Sequence, residues 1–322
     1  MPLIGFHASH EQIAPRQLLT DVKHAEQAGF TAAMCSDHFA PWSRRQGESG
    51  FAWSWLGAAL EATTIPLGVV NAPGQRYHPA IIAQAMGTLA QMYPGRFWAA
   101  LGSGENINEH ITGDPWPSKE HRNERLLESV GVIQRLLAGE TVSVDGHVIV
   151  DRATLFTKPS TKPAVYAAAV SEETAAWSAQ WAEGMITVGI DVDDVKRTVD
   201  AYRQAGGKGP TYFQLHVSYA RSDSEALAIA HDQWRTHVYE PPMMWDVDSV
   251  DAFDAAGENV TPDQLHSAVR VSADLAQHAA WIAEYADLGF DGIMVHHVGQ
   301  HQAEFIDAFG EHVLPQVAGG RR

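Results

Sequence analysis

Cysteine is almost absent from this sequence. One residue, Cys35, among 322 excludes an internal disulfide framework and fits a reducing, cytoplasmic compartment. Positive charge is scarce too. Twenty-two Lys and Arg against 39 Asp and Glu leave a formal charge of −17. Such a field repels phosphate backbones and anionic lipid, so neither nucleic acid nor a membrane is the expected partner. No apolar run approaches the roughly 20 residues of a membrane-spanning helix. Met1-Pro2-Leu3-Ile4-Gly5-Phe6-His7 carries no basic region and does not read as a secretory signal. Several motifs are also missing. No G-x-G-x-x-G follows the first predicted strand, no Lys-Ser/Thr completes a P-loop, and no H-E-x-x-H or G-x-S-x-G occurs.

What is present suffices for a sizeable core, with 45% hydrophobic and 19% charged residues and no linker-like, low-complexity stretch. Apolar strands alternate with helical segments along the whole chain. Predicted strands include Leu3–Phe6, Phe30–Cys35, Ile65–Val70, Phe97–Leu101, Ala164–Val170, Gly184–Val188, Phe213–Ala220 and Gly292–His296, with helices between them. Strands of this buried type imply a parallel sheet. About eight units in one domain spanning 1–322 suit a closed (β/α)8 TIM barrel, with an open two-layer Rossmann sheet as the alternative. Two excursions interrupt the pattern. One is a hairpin near 140–156 turned at Asp145-Gly146; the other is a loop near 240–262, rich in Pro, Met, Trp and Asp.

In a barrel the loops after the strands converge on one face. There the sequence offers Asp37, His38 and Trp42 after the second strand, and Asn71 to His78 after the third. Gly102, Ser103, Gly104 and Glu105 follow the fourth, with Asn108 close behind, and Ser171 opens the helix after the fifth. His296 stands at the end of the last strand. Each has a plainer reading: Asp37 and His38 as helix caps, Gly102-Ser103-Gly104 as a tight turn, Ser171 as an N-cap. Asp37, His38, Glu105 and His296 could also converge on a metal. However, His296 and His297 are adjacent on a strand and face opposite ways, so no metal is expected there.

The motifs Ser36-Asp37-His38-Phe39-x-Pro41-Trp42, Arg76-Tyr77-His78-Pro79-Ala80, Pro94-Gly95-Arg96-Phe97 and Gly102-Ser103-Gly104-Glu105-x-x-Asn108-Glu109 resemble the bacterial-luciferase-like superfamily. Within it they are similar to the group around deazaflavin-dependent glucose-6-phosphate dehydrogenase. The resemblance runs from Gly5 to about Phe309 and implies a (β/α)8 barrel, usually a homodimer, with a flavin-type cofactor at its C-terminal face. It implies His38 as base toward a substrate hydroxyl, Asp37 as the group orienting that imidazole, Trp42 at the reacting centre and Glu105 beside the cofactor ring. It places the cofactor against Val70, Asn71, Gly102, Ser103, Gly104, Asn108, Ala169, Val170 and Ser171, and the substrate against Trp42, Trp245 and His296. An imidazole titrates in the range that removal of an alcohol proton requires.

Departures from that group shape the expected substrate and cofactor. Where the sugar-phosphate enzymes carry basic residues, this chain has Ile190-Asp191, Ser267-Ala268 and Ala303-Glu304, which disfavours a phosphorylated substrate. The loop after the third strand is one residue shorter, and Val170-Ser171 replaces a Gly-Gly that receives the cofactor phosphate. The chain is most similar to a sister branch that uses FMN, so FMN is the first expectation and coenzyme F420 the alternative. The activity expected is hydride transfer between a flavin and a non-phosphorylated hydroxyl or carbonyl compound. An FMN monooxygenase, a non-catalytic flavin-binding barrel and a metal-dependent hydrolase are the other readings.

Overall fold

The computed structural model describes residues 1–319. In chain order its strands are β1 (Leu3–Ala8), β2 (Ala32–Ser36), β3 (Leu67–Asn71), β4 (Phe97–Leu101), β5 (Thr141–Asp145), β6 (Ile149–Thr154), β7 (Ala164–Ala168), β8 (Met185–Val188), β9 (Thr211–Ser218), β10 (Arg270–Val271) and β11 (Gly292–His297). Eight of them close in the order β1-β2-β3-β4-β7-β8-β9-β11, all parallel, with β11 returning to β1. Two-residue β10 adds to the outside of β9. β5 and β6 form the separate antiparallel hairpin foreseen near 140–156. The closed order rules out the open Rossmann alternative.

Period-2 alternation explains why these strands make a barrel. In β4, Phe97, Ala99 and Leu101 face the helices and join the main core, while Trp98 and Ala100 point inward. Trp98, Tyr166, Tyr212 and Met294 plug the interior, their aromatic ring centroids 5.1 to 5.5 Å apart. The Trp98 ring needs Gly68 on the neighbouring β3, because a Cβ there would lie 2.0 Å from it. Toward the C-terminal ends of the strands the inward positions turn polar, with His7 on β1, Gln214 and His216 on β9, and His296 on β11. The apolar plug therefore ends where a floor of hydrogen-bonding side chains begins. His297 faces outward, stacked on Phe305 at 4.9 Å, as the alternation requires.

The segment 240–262 departs from expectation. It is largely helical, with Met243–Asp246 and Val250–Gly257, and Ser249 caps the second helix. Its apolar side chains have a target: Phe253 is fully buried against Trp42, with ring centroids 5.3 Å apart.

Candidate active site

Two adjoining cavities open at the C-terminal ends of the strands and share His38, Val70, Glu105, Ala168 and Val170. Asn71, Gly102, Ser103 and Gly104 line the outer one, and so do Lys119 and Trp245. The inner one descends into the barrel between Trp42, Trp234 and the imidazoles of His7, His216, His237 and His296.

His38 stands at the junction. Its Nδ1 lies 2.6 Å from Oε1 of Glu11, and its Nε2 lies 3.6 Å from Oε2 of Glu105. Glu11 is buried in the loop after β1, where its second oxygen accepts from Ser9 Oγ at 2.8 Å. Burial alone would lower the His38 pKa, but the Glu11 carboxylate, aided by Glu105, raises it to about 9. Burial would correspondingly raise Glu11, yet the facing imidazole holds its carboxyl well below the usual range. His38 thus stands between the carboxyl groups of Glu11 and Glu105, which favour its imidazolium form.

Asp37 does not orient His38. His38 reaches both cavities, while the Asp37 carboxylate is spent on the loop after β3. There Asp37 accepts from Asn71 Nδ2 at 2.9 Å and lies 3.6 Å from Arg76 Nη2. The Arg76 side chain, largely covered, lies 3.4 Å from a Glu109 oxygen. This Asp37–Arg76–Glu109 cluster fixes the loop that carries His38, because Arg76 also donates to the Asp37 carbonyl at 2.7 Å.

The remaining predicted residues divide between the cavities. Trp42 meets His38 edge to face at 5.3 Å and lines the inner cavity, where His296 also lies. Trp245 sits instead at the outer cavity, with Lys119 Nζ 5.2 Å from its ring centroid. Ala169 and Val170 border the inner cavity. Ser171 lines neither; its hydroxyl is spent as an N-cap, accepting from Thr174 N at 3.3 Å. Asn108 acts as a brace. Its Oδ1 accepts from Phe39 N and Ala40 N, and its Nδ2 donates to Glu105 Oε2 at 3.0 Å.

Sequence reasoning missed Glu11, Lys119 and the inner-cavity residues His7, Gln214 and His216. Lys119 opens the long helix Lys119–Leu137 and donates to Ser103 Oγ at 2.9 Å. It places a cation in the outer cavity far in sequence from the positions checked for one. Burial drives the inner imidazoles down, His7 to about 4 and His216 to about 3, with His237 and His296 well below the ordinary value. Among the described residues, no Lys or Arg lines that cavity.

The outer cavity suits a flat heterocycle. Gly104 has φ +84°, and a Cβ there would lie 3.0 Å from the Glu109 side chain, so the backbone forms a shallow floor. Asn71 Oδ1 is buried beside it without a hydrogen-bond partner, an acceptor left for a ring N–H. Lys119 beside Ser103 can meet an anionic tail.

The Luciferase-like monooxygenase family profile matches residues 3–292. An F420-dependent glucose-6-phosphate dehydrogenase of Intrasporangium calvum is 32% identical over 340 residues, covering 98% of this chain and 99% of that protein. An F420-dependent hydroxymycolic acid dehydrogenase of Mycobacterium tuberculosis is 35% identical over 239 residues, covering 72% of this chain and 66% of that protein. Among solved structures, an F420-dependent secondary alcohol dehydrogenase in complex with an F420–acetone adduct superposes with a TM-score of 0.90 at 27% identity, covering 98% of this chain and 99% of that one. The chain is an oxidoreductase and belongs to the luciferase-like monooxygenase family.

Proposed function

We propose that this protein is a coenzyme F420-dependent dehydrogenase acting on a small, non-phosphorylated alcohol or its carbonyl counterpart, with His38 as the proton-transfer residue. The observation that carries this reading is the Glu11–His38–Glu105 chain at the junction of the two cavities. FMN was the first expectation from sequence alone. The two relatives and the solved structure described above are all named for F420, which moves the choice to the deazaflavin.

When bound in the outer cavity, the deazaflavin supplies a hydride acceptor. The protein does the rest. Trp42 and the neutral imidazoles hold an uncharged substrate against His38 and keep charge out of the inner cavity. His38, once neutral, takes the hydroxyl proton; in the reverse direction its imidazolium returns a proton to the carbonyl oxygen. Glu11 balances the charge on His38 at Nδ1, and Glu105 faces both His38 and the outer cavity. A sugar phosphate is disfavoured because the inner cavity offers its phosphate no cation.

Equilibrium titration of the purified protein with F420 and with FMN tests the cofactor assignment. Tighter binding of F420 supports it, and exclusive binding of FMN overturns it.

A further inference from the structure

Outside the two cavities, the first turns of the helix Lys119–Leu137 face the turn of the β5–β6 hairpin. His121 and Glu124 are three residues apart and share one helix face. His147 from the hairpin turn meets them there. Its Nε2 lies 3.5 Å from Glu124 Oε2, and its ring centroid is 4.8 Å from that of His121. One ligand atom from each of the three side chains can be chosen so that all lie within 4.8 Å of one another, the one such trio of His, Cys, Asp or Glu among the described residues.

We propose that His121, Glu124 and His147 form a binding site for a borderline divalent transition metal such as Zn2+, which clips the hairpin to the helix. Two imidazoles and one carboxylate are a zinc-type donor set, and water would supply the fourth position. Calcium and magnesium prefer all-oxygen shells, so they are poor fits. Zn–N and Zn–O bonds of about 2.0–2.2 Å place tetrahedral ligand atoms roughly 3.4 Å apart. Closing from the present separations takes small rotations of three exposed side chains, with little packing to disturb.

The backbone holding the third ligand is already seated. Glu128, one helical turn beyond Glu124, accepts from His147 N at 2.8 Å, and a Cβ on Gly146 would come within 2.4 Å of Glu128 Oε1. The turn therefore lies flush on the helix. The groove beside the site is bordered by Glu120, Glu124 and Glu173 against one Lys119, so its field favours a cation. The site is independent of the dehydrogenase reading and shares none of its residues.

The test is calorimetric titration of EDTA-treated full-length protein with ZnCl2, comparing wild type with His147→Ala and Glu124→Gln. Other histidines can bind zinc, so the difference between proteins is what counts. Wild type should bind one more equivalent than His147→Ala, or bind it at least about tenfold more tightly. Glu124→Gln guards against misfolding of the first variant and should weaken the same equivalent. In wild type, zinc should also slow proteolytic cleavage at residues 146–148, and should not do so in His147→Ala. Identical titrations of wild type and a folded variant would overturn the proposal.

Discussion

The carboxylate of Glu11 lies 2.6 Å from Nδ1 of His38, although 27 positions separate the two in sequence (38 − 11). The pairing makes the histidine a stronger base than its burial would allow, and so decides at which pH each direction of the reaction is favoured. Alcohol oxidation needs neutral His38, so its kcat/KM should climb with pH and level off above about 9. Carbonyl reduction needs the imidazolium and should fall through the same range. Glu11→Gln removes the main raising influence, so both limbs should move to lower pH by about one unit or more. Unmoved limbs in pH–rate profiles would show that Glu11 does not tune the histidine.

Replacing the histidine itself separates chemistry from binding. His38→Ala should cost about a hundredfold or more in the chemical step while the cofactor dissociation constant changes little. Single-turnover kinetics and a cofactor titration check the two halves. Normal turnover in this variant would remove His38 from the mechanism.

The same pair gives a stability signature. The folded-state pKa of His38 is raised from 6.5 to about 9. Its contribution is therefore fully present below pH 6.5 and is lost as pH rises through about 9. Urea midpoints should fall across this window by the equivalent of at most about 3 kcal/mol. In His38→Ala that part of the fall should disappear.

Little of this pair was legible in the sequence, whereas most of the barrel was. Strands such as Phe97–Leu101 match their predicted bounds because an apolar run and a Gly stop mark them locally. Glu11 carries no such mark. It sits in a polar loop after the first strand and meets His38 only because β1 pairs with β2 in the sheet, bringing the loops after them together. Asp37 drew attention as His38's neighbour, yet its carboxylate is taken up by Asn71 and Arg76, and His38 finds its partner in Glu11. Lys119 was hidden likewise, at the start of a charged helix whose amino end returns to the cavity. The helices in 240–262 were obscured by Pro241 and Pro242, and by an apolar face whose partner, Trp42, lies 200 residues away or more.

Lys119 gives a cofactor-side prediction. Lys119→Met should weaken F420 binding by about tenfold, as expected for losing one partly buried cation–anion contact. The rate at saturating cofactor should stay near that of wild type. Equal cofactor affinity in the two proteins, measured by fluorescence quenching, would detach Lys119 from the cofactor tail.

Inside the barrel, Gly68→Ala should push a methyl group into the Trp98 ring, already 2.0 Å from the position of that Cβ. Overpacking of this kind costs about 1–3 kcal/mol. Denaturant unfolding should register it as a lowered midpoint with an unchanged slope.

The most direct test of the whole account is anaerobic mixing of the protein and oxidised F420 with a panel of small secondary alcohols, following the deazaflavin's visible absorbance. The account predicts bleaching with at least one alcohol, none with glucose 6-phosphate, and no requirement for oxygen. Failure of every alcohol to bleach F420, together with substrate-dependent oxygen consumption by the FMN-loaded protein, would contradict it.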